Sequence, residues 1–145
     1  MPSKNTSNSL LRILKTDPNL LFRYDDESNF LKFMRGNLGQ VSGKGFEELR
    51  STALKFLTIN SDLFGNNLGN TKILQETEDP QGGKDLILQQ YHGKHLVYGG
   101  SIRFHANKEG TLDSISNNLV DLTGVPLQAN IPFEKAIEIA QETQY

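Results

Sequence analysis

Residues 89–100 read QQYHGKHLVYGG. His92 and His95 stand three apart between two tyrosines, and the run closes on paired glycines. A metal site, a phosphate loop and a tight hairpin are the three chemistries to weigh. LILQQY before the centre and HLVYGGSIRFHA after it both read as strands, and only HGK separates them. In the second strand Leu96, Tyr98, Gly100, Ile102, Phe104 and Ala106 share one face. Val97, Gly99, Ser101, Arg103 and His105 share the other. Such alternation suits an antiparallel sheet with one covered face. HGK is then a hairpin turn. Tyr98 is expected on the sheet face beside Leu96 and Gly100, and Gly99 and Gly100 allow a bulge or a close backbone approach.

Downstream, NKEG is a tight turn and TLDSISNNLVDL, residues 111–122, a further strand. Upstream, TKILQET reads as a strand and EDPQGGKD as a turn-rich break. Before these the period changes. In GFEELRSTALKFLTINSDLFG, Phe46, Leu49, Ala53, Phe56 and Leu57 fall on one helical face. Glu47 and Glu48 occupy the first turn, where they suit the helix dipole. Asn60 and Gly65 mark the end, with Leu63 and Phe64 folding back onto the core. GNLGQVSGKG ahead of the helix is a glycine-rich loop. A hairpin precedes it, with strands at about 20–25 and 29–36 around DDESN. Residues 1–19 form a loose or partly helical lead-in. Past the last strand, TGVPLQANIP is a linker, and Pro132 opens a second helix striped by Phe133, Ala136, Ile137 and Ala140. The order β-β-α-β-β-β-β-α predicts an α+β fold, an antiparallel sheet packed against one long helix, with a C-terminal helix added.

The totals narrow the function. The 145 residues suit one domain, or one plus a fragment of a second. A net charge of −2 and scattered lysines and arginines give no reason to expect nucleic acid or an anionic membrane as partner. The chain holds no cysteine, which excludes disulfides, thiol nucleophiles and zinc–thiolate sites. No run is long enough to span a membrane, and the first residues lack a signal-peptide h-region.

The chemical readings of the quoted stretch fail in turn. His92, His95 and His105 give H-x2-H-x9-H, but i and i+3 across a hairpin converge poorly, and no Asp or Glu is expected beside them as a general base. Solvated hairpin histidines are the expectation. GNLGQVSGKGFEEL imitates a phosphate loop, yet the pattern needs glycine at 38 and Ser or Thr at 45, where Leu38 and Gly45 stand. There is no G-x-S-x-G and no H-E-x-x-H. The acidic clusters sit at turns and read as solvated turn acids. No catalytic residue, metal ligand or cofactor is expected, and binding through a shaped surface remains.

With those readings set aside, residues 86–122 resemble the fungalysin/thermolysin propeptide (FTP) domain. Gln90, Val97, Tyr98 and Gly99 match its hairpin motif, Gly110 its acidic turn, and Asn118-Leu119-Val120 its closing strand. Upstream, Ala53, Phe56, Leu57, Asn60, Leu63, Phe64 and Gly65 fall in register with the family's helix, and FMRGNL is similar to the strand before it. IPFEKAIEIA resembles the opening of a PepSY domain. One departure stands out: the family's turn glycine would fall at Lys94, and here it is Gly93. Gly93-Lys94 suits a type II′ turn, which takes glycine at its first central position.

The resemblance implies an FTP-like domain over 20–125 with a cystatin-like propeptide fold. Residues 126–145 would be a linker and the first helix of a PepSY-like segment. It also implies a non-catalytic pro-region, secreted or periplasmic. Such a domain assists folding of a thermolysin-like zinc metallopeptidase and inhibits it, the catalytic domain being its partner in cis or in trans. A stand-alone protein-binding or peptidase-inhibitor module acting in trans is the alternative. The matched positions are carried over as structural ones.

Overall fold

The computed structural model describes residues 7–41, 43 and 45–126. The expected helix of residues 132–145 lies outside them. Within them the chain is a mixed α+β fold with two α-helices and one six-stranded antiparallel sheet. The elements are α1 (Asn8–Thr16), β1 (Leu21–Tyr24), β2 (Leu31–Arg35), α2 (Phe46–Ile59), β3 (Asn70–Glu78), β4 (Lys84–His92), β5 (His95–Ala106) and β6 (Leu112–Asn117). The sheet order is β1-β2-β6-β5-β4-β3. Four consecutive strands, β3 to β6, form a meander. The β1–β2 hairpin joins its far side by pairing β2 with β6. The segment holding α2 thus leads from one half of the sheet to the opposite edge.

Period-two burial builds the core. Leu86, Leu88, Gln90 and His92 point inward along β4, while the residues between them stay partly exposed. Leu86 pairs with Phe104 and Leu88 with Ile102 across the β4–β5 ladder. Leu49, Ala53, Phe56 and Leu57 of α2 belong to the same buried cluster as these residues, Met34 and Ile115. Phe64 joins it after a turn of 3₁₀-helix at Ser61–Leu63, its ring 6.4 Å from that of Phe56. At the entry to α2, Gly45 N–H donates to Glu48 Oε1 at 2.9 Å, so the acid three residues on caps the first turn.

The lead-in is more ordered than expected. α1 is capped by Ser7, whose hydroxyl accepts from Leu10 N–H. Ser9 hydrogen-bonds to Asp62, Arg12 donates to Asn60 Oδ1 at 2.7 Å, and Leu10 is buried in the main core. A short sequence with one buried leucine gives little periodic signal; tertiary contacts fix this helix.

The turn acids also differ from expectation. Asp25 is buried and accepts from Ser28 N–H at 3.0 Å. Asp79 accepts from Gln81 and Gly83 N–H at 3.0 and 2.8 Å. Both carboxylates tie up backbone donors that a tight turn leaves unpaired.

Candidate functional site

The β4–β5 hairpin turns through Gly93-Lys94. Gly93 has φ +61, and Asn29 is the one described non-glycine residue with positive φ. Lys94 is therefore not left-handed, which matches the type II′ pattern. The ladder resumes at His92–His95 and Tyr91–Leu96, then breaks. Gln89 faces Ser101 and Tyr91 faces Leu96, so residues 97–100 of β5 lie opposite Gln90 alone. This wide bulge corrects the expected faces. Within it Val97 is buried and Tyr98 exposed, and Leu96 just before it is exposed too; from Gly100 onward the expected pattern returns, with Gly100, Ile102, Phe104 and Ala106 buried. The extra residues shift the period by one, which strict alternation cannot foresee. Gly99 at φ +77 supplies the left-handed step within the bulge.

Gln90 occupies the space the bulge opens and is fully buried. Its Nε2 donates to Val120 O at 2.7 Å and Leu68 O at 3.0 Å, and its Oε1 accepts from Val120 N–H at 2.8 Å. Gln89 Nε2 donates to Val97 O at 2.8 Å and Gly100 O at 3.0 Å, closing the bulge from the other side. A side chain on Gly100 would put Cβ 2.5 Å from Gln90 Oε1. Val97, Val120 and Leu122 form a second small apolar cluster beside the amide.

Asn60, at the end of α2, donates from Nδ2 to Phe56 O at 3.0 Å. From there the chain passes Gly65 and reaches Leu68, whose carbonyl Gln90 holds. Phe56, Leu57, Asn60 and Phe64 are all buried along this path. Of the positions named from the sequence, Tyr98 points outward. Gly110 stands apart in the β5–β6 turn, at φ +85.

His92 corrects the picture of solvated histidines. It is buried, with Nε2 3.0 Å from both Val125 O and Pro126 O. One imidazole thus fastens the chain leaving the sheet to the hairpin.

Sequence reading missed a charged cluster on the sheet's outer face. His105 Nδ1 lies 2.6 Å from Asp113 Oδ1, and Nε2 lies 3.2 Å from Asp79 Oδ2. Asp85 stands opposite His105 in the ladder and receives Arg103 Nε at 2.9 Å. Burial works against a charged His105. The hydrogen bonds to Asp113 and Asp79 and the charges of Asp113 and Asp85 outweigh it, and the pKa rises above 6.5. Asp79 is held below its ordinary 3.8, chiefly by Gly83 N–H and then by His105. An imidazolium donating from both nitrogens has no lone pair to act as base or ligand. Among the described residues no group of three or more His, Asp and Glu side chains could hold a metal ion. The acids come from 26 residues upstream and eight downstream, and only the topology unites them.

Beside this cluster a cleft of about 230 Å³ opens between the entry to α2 and the β3–β4 and β5–β6 turns. Gly45, Glu78, Gly82, Lys84, Lys108 and Gly110 line it. No described helix is long and apolar enough to cross a membrane. Comparison with protein-family models, with curated proteins and with solved structures gave no match.

Proposed function

We propose that this chain is a non-catalytic pro-region domain of a thermolysin- or fungalysin-like zinc metallopeptidase. It assists folding of the catalytic domain and inhibits it until cleavage. The observation that carries this reading is the Gln90 clamp. Gln90 of the FTP-like hairpin and Val120 of the FTP-like closing strand are 30 residues apart and are joined by buried hydrogen bonds, with Val97 packed in the same small cluster as Val120. That these positions depend on one another in space supports reading them as one motif. The placement of α2, between β2 and the far-edge strand β3 and with its apolar face in the sheet's core cluster, supports the cystatin-like arrangement that the reading requires. The zinc belongs to the peptidase.

The mechanism follows from rigidity. A sheet fixed by such clamps binds the folded catalytic domain better than its unfolded chain, and so shifts that equilibrium towards folding. Covering the cleft inhibits. The reading also assigns the chain to a secreted or periplasmic route. The test is titration of the whole chain into a mature thermolysin-like peptidase, with residual activity followed on a small substrate, and refolding of the denatured peptidase with and without the chain. Saturable inhibition without prompt cleavage of the chain, or a higher refolding yield, is the expected result. An intact, folded chain that changes neither would overturn the proposal.

A further inference from the structure

We propose that Asp79, His105 and Asp113 form a proton-dependent latch. The doubly protonated imidazole holds the β3–β4 turn onto the sheet beside the cleft, and loss of one proton releases it. This inference does not rest on the peptidase reading.

Each ring nitrogen faces a carboxylate, at 2.6 Å for Asp113 and 3.2 Å for Asp79. A neutral imidazole carries one N–H and can satisfy one of them; the other then meets a lone pair. The surroundings favour the cation. Asp79 comes from the turn, Asp113 from β6 and Asp85 from β4. The neighbouring cation on β5, Arg103, is committed to Asp85 through Nε and Nη2. Across the ladder on β6 stands neutral Ser114, with Arg35 of β2 beyond it, and Thr77 of β3 stands beyond Asp85.

The turn is coupled to the ring. The Asp79 carboxylate accepts from Gln81 and Gly83 N–H, and Asp79 N–H donates to Gly83 O at 2.8 Å. Moving the carboxylate therefore moves the turn. The seat is tight: a Cβ on Gly83 would lie 2.6 Å from Asp79 Oδ2 and 2.8 Å from His105 Nε2. Glu78, Gly82 and Lys84 flank the turn and line the cleft, so the latch sets the shape of one cleft wall. The contact to Asp79 is the longer of the two. On deprotonation Nδ1–H stays with Asp113, and the bond to the turn is the one lost.

The experiment is a pH titration of the ¹⁵N-labelled chain by NMR, from pH 5 to 9, following the His105 ring nitrogens and the Gln81 and Gly83 amides. The expected result has both nitrogens protonated at pH 5, a titration midpoint above 6.5, and the two amides shifting with the same midpoint. Above the midpoint the Nδ1–H tautomer remains. Asp113→Asn shifts that midpoint downward, and the Gly83 amide follows it. A His105 midpoint at or below 6.5, or a Gly83 amide indifferent to the His105 titration, overturns the latch. The wild-type titration alone decides this, whatever the folding of the variant.

Discussion

Gln90 and Val120 are joined through both atoms of one side-chain amide. Nε2 donates to the Val120 carbonyl at 2.7 Å while Oε1 accepts from the Val120 N–H at 2.8 Å. The side chain thus acts as a strand partner for a segment that has already left the sheet at Asn117. Gln90→Ala strips two backbone groups of Val120 of their buried partner and leaves a cavity. An unsatisfied buried polar group costs about 1–3 kcal/mol, so a loss of about 3 kcal/mol is expected. Urea denaturation followed by circular dichroism measures it. A loss below about 1 kcal/mol would mean that water replaces the amide and that the clamp is not structural.

Gly100 is tied to the same amide by space. Gly100→Ala sets a methyl 2.5 Å from Gln90 Oε1 and 3.0 Å from Val97 Cγ1. Overpacking of this kind costs about 1–3 kcal/mol. Removing the amide removes the nearest clash, so the double variant Gln90→Ala/Gly100→Ala is expected to be more stable than the sum of the single losses allows. A coupling of about 0.5 kcal/mol or more is the signature of contact. Strict additivity would show that the two residues do not share the space.

The bulge also explains which parts of the fold were legible in the sequence. The helix of Phe46–Ile59 and the alternation from Gly100 to Ala106 were readable because burial there follows one unbroken period. Leu96, Val97 and Tyr98 were not. The inserted residues put Val97 inside and Tyr98 outside, and the cause is a glutamine on the neighbouring strand. Paired glycines signalled a bulge but not its direction. The partners of His92 and His105 were not legible for a related reason. They (the carbonyls of 125 and 126, and the carboxylates of Asp79 and Asp113) are remote in sequence, so local pattern carries no trace of them.

The His105 cluster gives stability a defined pH dependence. His105 has its folded pKa raised above 6.5, so its contribution is complete below 6.5 and is lost as pH rises through the raised value. Asp79 has its folded pKa lowered from 3.8. Its contribution is complete above 3.8 and is lost as pH falls through the lowered value. Both operate together between these ordinary values. The urea midpoint of the wild type should therefore exceed that of His105→Asn by most near pH 5, and the gap should close by pH 9. A gap of constant size from pH 5 to 9 would show that His105 stabilises by packing and not by charge.

The N-terminal helix yields the last prediction. Leu10 is 4% exposed and belongs to the same cluster as Phe64 and Phe104. Two side-chain links reinforce it, Ser9 to Asp62 and Arg12 to Asn60, and Asn60 also caps α2. α1 is thus part of the device that ends α2, not a free arm. Leu10→Ala is expected to cost about 2–4 kcal/mol, the range for a buried leucine. Arg12→Ala leaves the buried Asn60 Oδ1 without this donor and should cost about 1–2 kcal/mol. Amide exchange distinguishes this from a separately melting helix. Both variants should speed exchange at Asn60 N–H, which bonds to Phe56 O at 2.9 Å, as well as within α1. Faster exchange confined to α1, with Asn60 unchanged, would make the helix an independent appendage.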